Sequence, residues 1–261
     1  MSRMFQRYVA VGDSQTEGLN DGTEQTGYRG WADRLAEILA VHNPELGYAN
    51  LAVRGRLAGQ IRAEQTEAAL AMEPDLVTVM GGLNDVFRPG FDPDTVSAEL
   101  AAMISAFTAA RATVVTFTFP DIAEIAPLVR RMRPRVLELN ARIRTIARQH
   151  GAVLVDAFDH PFTTDPRMWS LDRIHASPQG HARIAAATAH ALDLPGSDPS
   201  WTEPFPTLPP VRPWRRAGRE LGWAAGVVGP WILRRLAGRS SGDDRVAKRP
   251  QLTSVSRGAT P

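Results

Sequence analysis

Five short runs of apolar residues alternate along the chain with five longer stretches in which apolar residues recur at helical spacing. The apolar runs cover residues 8–11, 48–53, 76–80, 113–119 and 153–158, and the helical stretches cover 30–42, 58–72, 94–110, 127–150 and 178–192. Strands that are almost continuously apolar are typical of a parallel sheet buried on both faces. The alternation therefore predicts an α/β fold with helices on both sides of that sheet.

The pattern changes after residue 194. Residues 195–213 contain seven prolines, which predicts a linker. Apolar residues return at helical spacing over 214–239, flanked by arginines, which predicts a basic amphipathic helix. The polar stretch 240–261 is expected to be disordered. The sequence thus predicts a folded domain over 1–194, a linker, one helix and a tail.

Charge separates the same two regions. Residues 196–261 carry 11 basic and 5 acidic side chains, whereas the remaining chain carries 19 basic and 23 acidic ones. The basic excess therefore belongs to the C-terminal region, and the folded part shows no basic surface that would indicate a nucleic-acid partner. Two interpretations of the helix 214–239 remain open. In the favoured interpretation, the helix packs on the folded domain. In the other, it lies on an anionic membrane surface as a peripheral element.

The chain has no cysteine, which excludes disulfides, thiolate metal sites and a cysteine nucleophile. Histidine and acidic residues show no metal-ligand spacing, so no metal and no other cofactor is expected. The N-terminus lacks the charged and apolar regions of a secretory signal, and the first strand begins almost at once. We therefore expect a cytoplasmic protein, with membrane association only through the C-terminal helix.

Four short motifs carry the candidate chemistry. They are residues 12–14 (Gly-Asp-Ser), 50–55 (Asn-Leu-Ala-Val-Arg-Gly), 82–85 (Gly-Leu-Asn-Asp) and 172–175 (Asp-Arg-Ile-His). The first three follow predicted strands, and the carboxyl ends of parallel strands meet at one edge of a sheet. Serine, histidine and aspartate together are the side chains of an acyl-transfer site, in which a base activates the serine hydroxyl.

Together the four motifs resemble the SGNH/GDSL hydrolase family, over about residues 5–194. The resemblance implies a flavodoxin-like three-layer α/β/α sandwich with a central five-stranded parallel sheet. It also implies Ser14 as nucleophile, His175 as general base and Asp172 as the carboxylate that orients the histidine. The oxyanion hole would consist of the backbone N–H groups of Ser14 and Gly55 and the side-chain amide of Asn84.

Further residues near these motifs have open roles. Arg54 and Arg56 could contact an anionic part of a substrate or face solvent, and Phe87 is a candidate for the border of the substrate pocket. Tyr28 and Trp31 are candidates for a pocket wall, although packing at the start of a helix is favoured for Trp31. The aromatic and proline-rich stretch 158–169 is a candidate lid. Asp13 is expected to support its loop by hydrogen bonds.

These observations predict a serine hydrolase of the esterase or lipase type. Its substrate would be a small-molecule, lipid or carbohydrate ester, cleaved through an acyl-enzyme on Ser14. Two alternatives remain open: a catalytically silent binding or scaffold protein on a hydrolase fold, and an acyltransferase.

Overall fold

A computed structural model describes residues 4–207, 218, 222–223, 225–226 and 242–255 of the protein. Its central sheet has six strands in the order β7-β6-β5-β1-β4-β8. These are β1 (Arg7–Gly12), β4 (Gly47–Asn50), β5 (Leu76–Met80), β6 (Thr113–Phe117), β7 (Val153–Val155) and β8 (Arg249–Ser254), while β2 (Gly22–Thr23) and β3 (Gly27–Tyr28) form a small separate hairpin. The first five strands of the sheet are parallel, and β8 pairs antiparallel with β4.

The helices form two groups around this sheet. They are α1 (Ser14–Glu17), α2 (Trp31–His42), α3 (Ala58–Leu70), α4 (Leu83–Val86), α5 (Pro93–Ala109), α6 (Ile122–Ile125), α7 (Arg133–His150) and α8 (Pro178–Ala191). Helices α2 and α8 pack on each other, whereas α5 packs against both α3 and α7. The predicted helix 127–150 is divided into a 3₁₀ turn, Pro127–Met132, and α7, because Pro134 at the start of α7 cannot continue a preceding helix.

The apolar runs of the sequence form strands whose side chains are buried in the core. Every residue of β5 is buried, and Tyr8 of β1 stacks on Tyr48 of β4 with ring centroids 5.0 Å apart. Trp31 at the start of α2 is fully buried against Phe117 of β6, so it packs in the core. The α/β fold predicted from the sequence is confirmed.

Strand order reverses at β1, which lies between β4 and β5. The chain first moves from β1 to β4 on one side and then crosses to β5 on the other side. In open α/β sheets the crevice outside the carboxyl ends of the strands at such a reversal is the usual ligand site. The loops that follow β1 and β5 carry Ser14 and Asn84, and the fold therefore brings these two residues to the same edge.

The C-terminal region corrects the prediction. Disorder was expected for 240–261, but residues 249–254 form β8 and extend the five parallel strands by an antiparallel edge strand. The polar composition concealed this strand, since the free edge of β4 supplies backbone partners without requiring apolar side chains. Lys248, the single lysine of the chain, ties the region down by an ion pair of 2.6 Å with Asp33.

The predicted linker also packs in part on the domain. Pro199–Thr202 forms a 3₁₀ turn against α8, and Trp201 contacts the rings of His160 and Phe162. The predicted helix 214–239 lies mostly outside the described residues, so its contact with a membrane stays a prediction. The cytoplasmic location of the protein also stays a prediction. None of the helices in the described part of the chain is long and apolar enough to cross a membrane.

Candidate active site

Ser14 is the first residue of α1 and is held by the geometry of the turn that follows β1. The Asp13 side chain caps the helix by accepting a hydrogen bond of 3.2 Å from the Gln15 N–H. A Cβ atom at Gly12 would lie 2.5 Å from both the Met80 carbonyl oxygen and the Thr16 hydroxyl. Only glycine allows the chain to turn here, and the turn places the buried Ser14 at the carboxyl edge of the sheet.

His175 connects Ser14 to Asp172. Its Nε2 atom lies 2.8 Å from the Ser14 Oγ, and its Nδ1 atom lies 2.8 Å from the Asp172 Oδ2. A carboxylate at Nδ1 favours the tautomer that carries the proton there, which leaves the lone pair of Nε2 facing the serine hydroxyl. The structure thus brings together the three residues that the motifs singled out.

The Asp172 carboxylate is surrounded by donors. Its Oδ1 accepts hydrogen bonds from the Ser170 hydroxyl (2.8 Å) and from the N–H groups of Ile174 (2.9 Å) and His175 (3.0 Å). Its Oδ2 accepts a further bond of 2.8 Å from the Asn20 side chain. Burial alone would raise the pKa of Asp172. The hydrogen bond from the His175 ring, the charge of that ring and the N–H groups of His175 and Ile174 outweigh burial and hold the pKa well below its usual range.

Gln15 and Asn20 are two functional residues that the sequence interpretation missed. The Gln15 side chain donates to the Ile174 carbonyl (3.0 Å) and accepts from the Ala176 N–H (3.2 Å), so it joins the serine turn to the histidine turn. Asn20 also donates to the Ser170 hydroxyl (2.7 Å). Both residues lie beside the first motif, but no spacing in the sequence reveals partners about 150 residues away.

Asn84 lies between the serine turn and the loop after β4. Its side-chain amide donates to the Asp13 carboxylate (3.0 Å) and to the Arg56 carbonyl (3.1 Å). Arg56 directly follows Gly55, whose φ of +77° is a left-handed conformation that favours glycine. Three of the predicted motifs therefore converge around this amide.

The Asp13 side chain holds these loops together by hydrogen bonds and does not face solvent. It is buried, and burial raises its pKa to about 7, even though the Gln15 N–H and the charge of His175 act in the opposite direction. The bonds to Gln15 and Asn84 match the loop-supporting role predicted for this residue.

The structure corrects one of the two roles suggested for Arg54, that of facing solvent. Its guanidinium is buried against Glu17 of α1, with Nε 3.0 Å from Oε1, and its backbone N–H donates to the same carboxylate at 2.8 Å. A buried guanidinium that is paired with a carboxylate does not face solvent. Arg54 instead clamps the chain just before Gly55 to the helix that begins at Ser14.

An apolar cavity of about 150 Å³ opens beside Ser14, Asn84 and His175. Phe87 lies in its wall, as predicted, and Phe162 and Met168 from the candidate lid stretch line it as well.

Two other candidates for substrate contact lie elsewhere. Tyr28 lies in a separate polar pocket beneath Arg54, and the Arg56 guanidinium is paired with Glu64 at 2.7 Å outside the cavity wall. The sequence could not separate these cases, since chain distance from the serine turn does not report the direction of a side chain. Among the described residues no cluster of three potential metal ligands is present.

His181 packs α8 against the start of α2. Its Nδ1 accepts a bond of 3.1 Å from the Trp31 N–H, and its Nε2 donates to the Leu19 carbonyl at 3.0 Å. Burial lowers the pKa of His181 to about 4, so the ring is neutral at physiological pH.

Comparison with known proteins places this site in a family. Residues 10–183 match the model of the GDSL-like lipase/acylhydrolase family. An arylesterase from Vibrio mimicus is 25% identical over 192 residues, which are 73% of this chain and 90% of the relative. An acetylxylan esterase from Geobacillus stearothermophilus is 26% identical over 206 residues, which are 70% and 91% of the two chains.

A solved structure agrees at the level of the fold. An alpha/beta hydrolase from the metagenome of Lake Arreo superposes with a TM-score of 0.61 at 24% sequence identity, covering 72% of this chain and 95% of that one. The resemblance stated from the motifs is thereby confirmed. The chain belongs to the GDSL-like lipase/acylhydrolase family and is an enzyme that hydrolyses ester bonds.

Proposed function

We propose that the protein hydrolyses carboxylic esters through an acyl-enzyme on Ser14. The observation that carries the proposal is the continuous contact from the Ser14 Oγ through both nitrogens of His175 to Asp172, at 2.8 Å on each side. This contact lies at the mouth of an apolar cavity that can hold an acyl group. A serine, a base and an orienting carboxylate in this arrangement make up a nucleophilic acyl-transfer site.

In the acylation step, the Ser14 Oγ attacks the ester carbonyl carbon while its proton passes to the Nε2 of His175. Asp172, ionised because its pKa is low, stabilises the imidazolium that forms. Collapse of the tetrahedral intermediate breaks the bond to the alcohol oxygen, and His175 returns the proton to that oxygen. Water then takes the place of the alcohol, and its oxygen attacks the acyl carbon while its proton passes to Nε2. Collapse of this second intermediate breaks the bond to the Ser14 Oγ, which takes the proton back from His175 as the carboxylic acid leaves.

The oxyanion would be stabilised by the N–H groups of Ser14 and Gly55 and by the Asn84 amide. In the free enzyme that amide donates to Asp13 and to the Arg56 carbonyl, so stabilisation of the oxyanion requires one of these bonds to be exchanged. Catalytic hydrogen bonds often take their final geometry only when substrate binds. The left-handed Gly55 keeps a side chain away from this side of the carbonyl.

The cavity suggests the acyl group. Its volume of about 150 Å³ equals that of an engineered apolar protein cavity of about 150 Å³ that binds benzene. We therefore propose an acyl group of roughly six carbons, linear or aromatic, as the best fit. The relatives named arylesterase and acetylxylan esterase support an ester substrate, but an acetyl group would leave most of this cavity empty.

Hydrolysis of p-nitrophenyl esters by purified protein tests the proposal. Wild type should hydrolyse p-nitrophenyl hexanoate, and Ser14→Ala should reduce kcat by about 10⁴-fold or more. Ser97→Ala, which removes a hydroxyl from α5 outside the cavity wall, should retain wild-type turnover and serves as the control. A folded Ser14→Ala protein with wild-type kcat would refute the mechanism.

A further inference from the structure

Trp223 lies in the wall of the cavity, although it belongs to the C-terminal region. The family match ends at residue 183, forty residues before it. The side chain is buried, and the indole faces the same apolar space as Phe87 and Phe162. A residue outside the matched domain therefore helps to shape the space that would receive the acyl group.

Trp223 also contacts the catalytic turn directly. Its indole N–H donates a hydrogen bond of 3.0 Å to the carbonyl oxygen of Asp172. The guanidinium of Arg173 lies over the indole ring, 4.7 Å from the centroid. These two contacts fix the ring against the backbone that connects Asp172 to His175.

The C-terminal region contacts the opposite side of the site as well. Gly242 packs so closely on the loop before Gly55 that a Cβ atom there would lie 1.9 Å from the Arg54 carbonyl oxygen. The Arg56 guanidinium donates to the Gly242 carbonyl at 3.4 Å. Trp223 and Gly242 therefore contact the site from the histidine side and from the oxyanion side.

This region is anchored beyond both contacts. Before it, Trp201 packs against His160 and Phe162, and after it Lys248 pairs with Asp33 and β8 joins the sheet. Trp223 is buried in the cavity wall and is therefore a candidate for contact with the acyl group.

We propose that Trp223 is a specificity-determining residue that sets the upper limit on the acyl chain. The proposal rests on the esterase mechanism proposed above. An acyl group longer than about six carbons would have to displace the indole, losing its bond to Asp172 and its contact with Arg173. Removal of the indole would enlarge the cavity by the volume of a bicyclic ring, which is more than the benzene ring that such a cavity holds.

The test compares kcat/KM for p-nitrophenyl hexanoate and decanoate in the full-length protein. Wild type should prefer hexanoate. Trp223→Ala should raise the decanoate-to-hexanoate ratio by about tenfold or more, because the additional methylenes gain apolar burial. Trp223→Phe keeps a ring in the wall but loses the indole N–H, so its ratio should stay within about threefold of wild type.

Leu171→Ala is the matched control, since Leu171 directly precedes Asp172, which Trp223 contacts, but is 95% exposed. Its ratio should equal that of wild type. If Trp223→Ala is poorly folded, Trp223→Leu replaces it and should give an intermediate ratio.

Two outcomes would overturn the proposal: an unchanged ratio in a folded Trp223→Ala protein, and an equal fall for both esters, which would indicate that the indole only supports the Asp172 turn. Ser14→Ala separates the two proposals. If Ser14→Ala is inactive, either of these Trp223→Ala results refutes only the role of Trp223. If Ser14→Ala is active, the esterase mechanism itself is refuted.

Discussion

The two sides of the active site are held in different ways. The serine side is fixed by its own backbone: Gly12 permits the turn, Asp13 caps the helix, and the strand before it is buried. The histidine side, residues 170–176, has little regular structure and is fixed by distant side chains, among them Gln15, Asn20 and Trp223. A local motif is therefore sufficient to position the nucleophile, whereas the position of the base depends on the tertiary structure.

The largest effect is expected for His175→Ala, which removes the base between the two sides. The kcat for p-nitrophenyl hexanoate should fall by about 10⁴-fold to 10⁶-fold, since Ser14 then has no proton acceptor. His42→Ala, at an exposed position at the end of α2, is the control and should retain wild-type kcat. A fall of less than tenfold would mean that His175 is not the base.

Asp172→Asn tests the histidine side with almost no change in shape. The amide cannot stabilise the imidazolium and favours the wrong tautomer, so kcat should fall by about 10³-fold to 10⁴-fold. The exposed Asp159→Asn serves as the control. Wild-type kcat in Asp172→Asn would show that the low pKa of Asp172 serves stability alone.

Asn84→Ala tests the oxyanion side. Loss of one donor should reduce kcat by about 10²-fold to 10³-fold with KM nearly unchanged, because the donor acts on charge that develops in the transition state. Since Asn84 also donates to Asp13 and Arg56, the melting temperature must be measured alongside kcat. A change in KM alone would contradict the assigned role.

The smallest effect concerns stability and pH. His181 has a pKa of about 4 in the folded protein against an ordinary value of 6.5, so the unfolded chain binds the additional proton. Stability should therefore fall as the pH decreases from 6.5 to 4, by up to about 3 kcal/mol. Urea denaturation at pH 7 and pH 4.5 should show a smaller pH dependence for His181→Gln than for wild type. Equal dependence in the two proteins would contradict the burial argument.

Much of the fold could be predicted from local patterns. The five parallel strands, the main helices and the convergence of four motifs follow from apolar runs, helical spacing and the rule for carboxyl ends. The strand β8 could not be predicted, since its residues are polar and only the free edge of β4 makes them a strand. The division of residues 127–150 follows from Pro134, whose effect depends on the packing of the preceding turn.

Within the site, the sequence motifs predicted the residues that have a chemical role. They did not predict the residues that hold these in position. Three of the supporting contacts join segments far apart in the chain. They are the bonds from Gln15 to the histidine turn, the buried pair of Arg54 with Glu17 and the packing of Trp223 on Asp172. No local spacing encodes such pairs. They become visible only once the sheet has brought the loops to one edge.

The proposed mechanism requires a covalent intermediate on Ser14 whose formation depends on His175. Incubation with a p-nitrophenyl alkylphosphonate followed by peptide mass spectrometry tests it directly, because the phosphonyl group stays on the attacking oxygen. We expect one adduct, on the peptide that contains Ser14, and strongly reduced labelling of the His175→Ala protein. An adduct on a different residue, or undiminished labelling of Ser14 without His175, would contradict it.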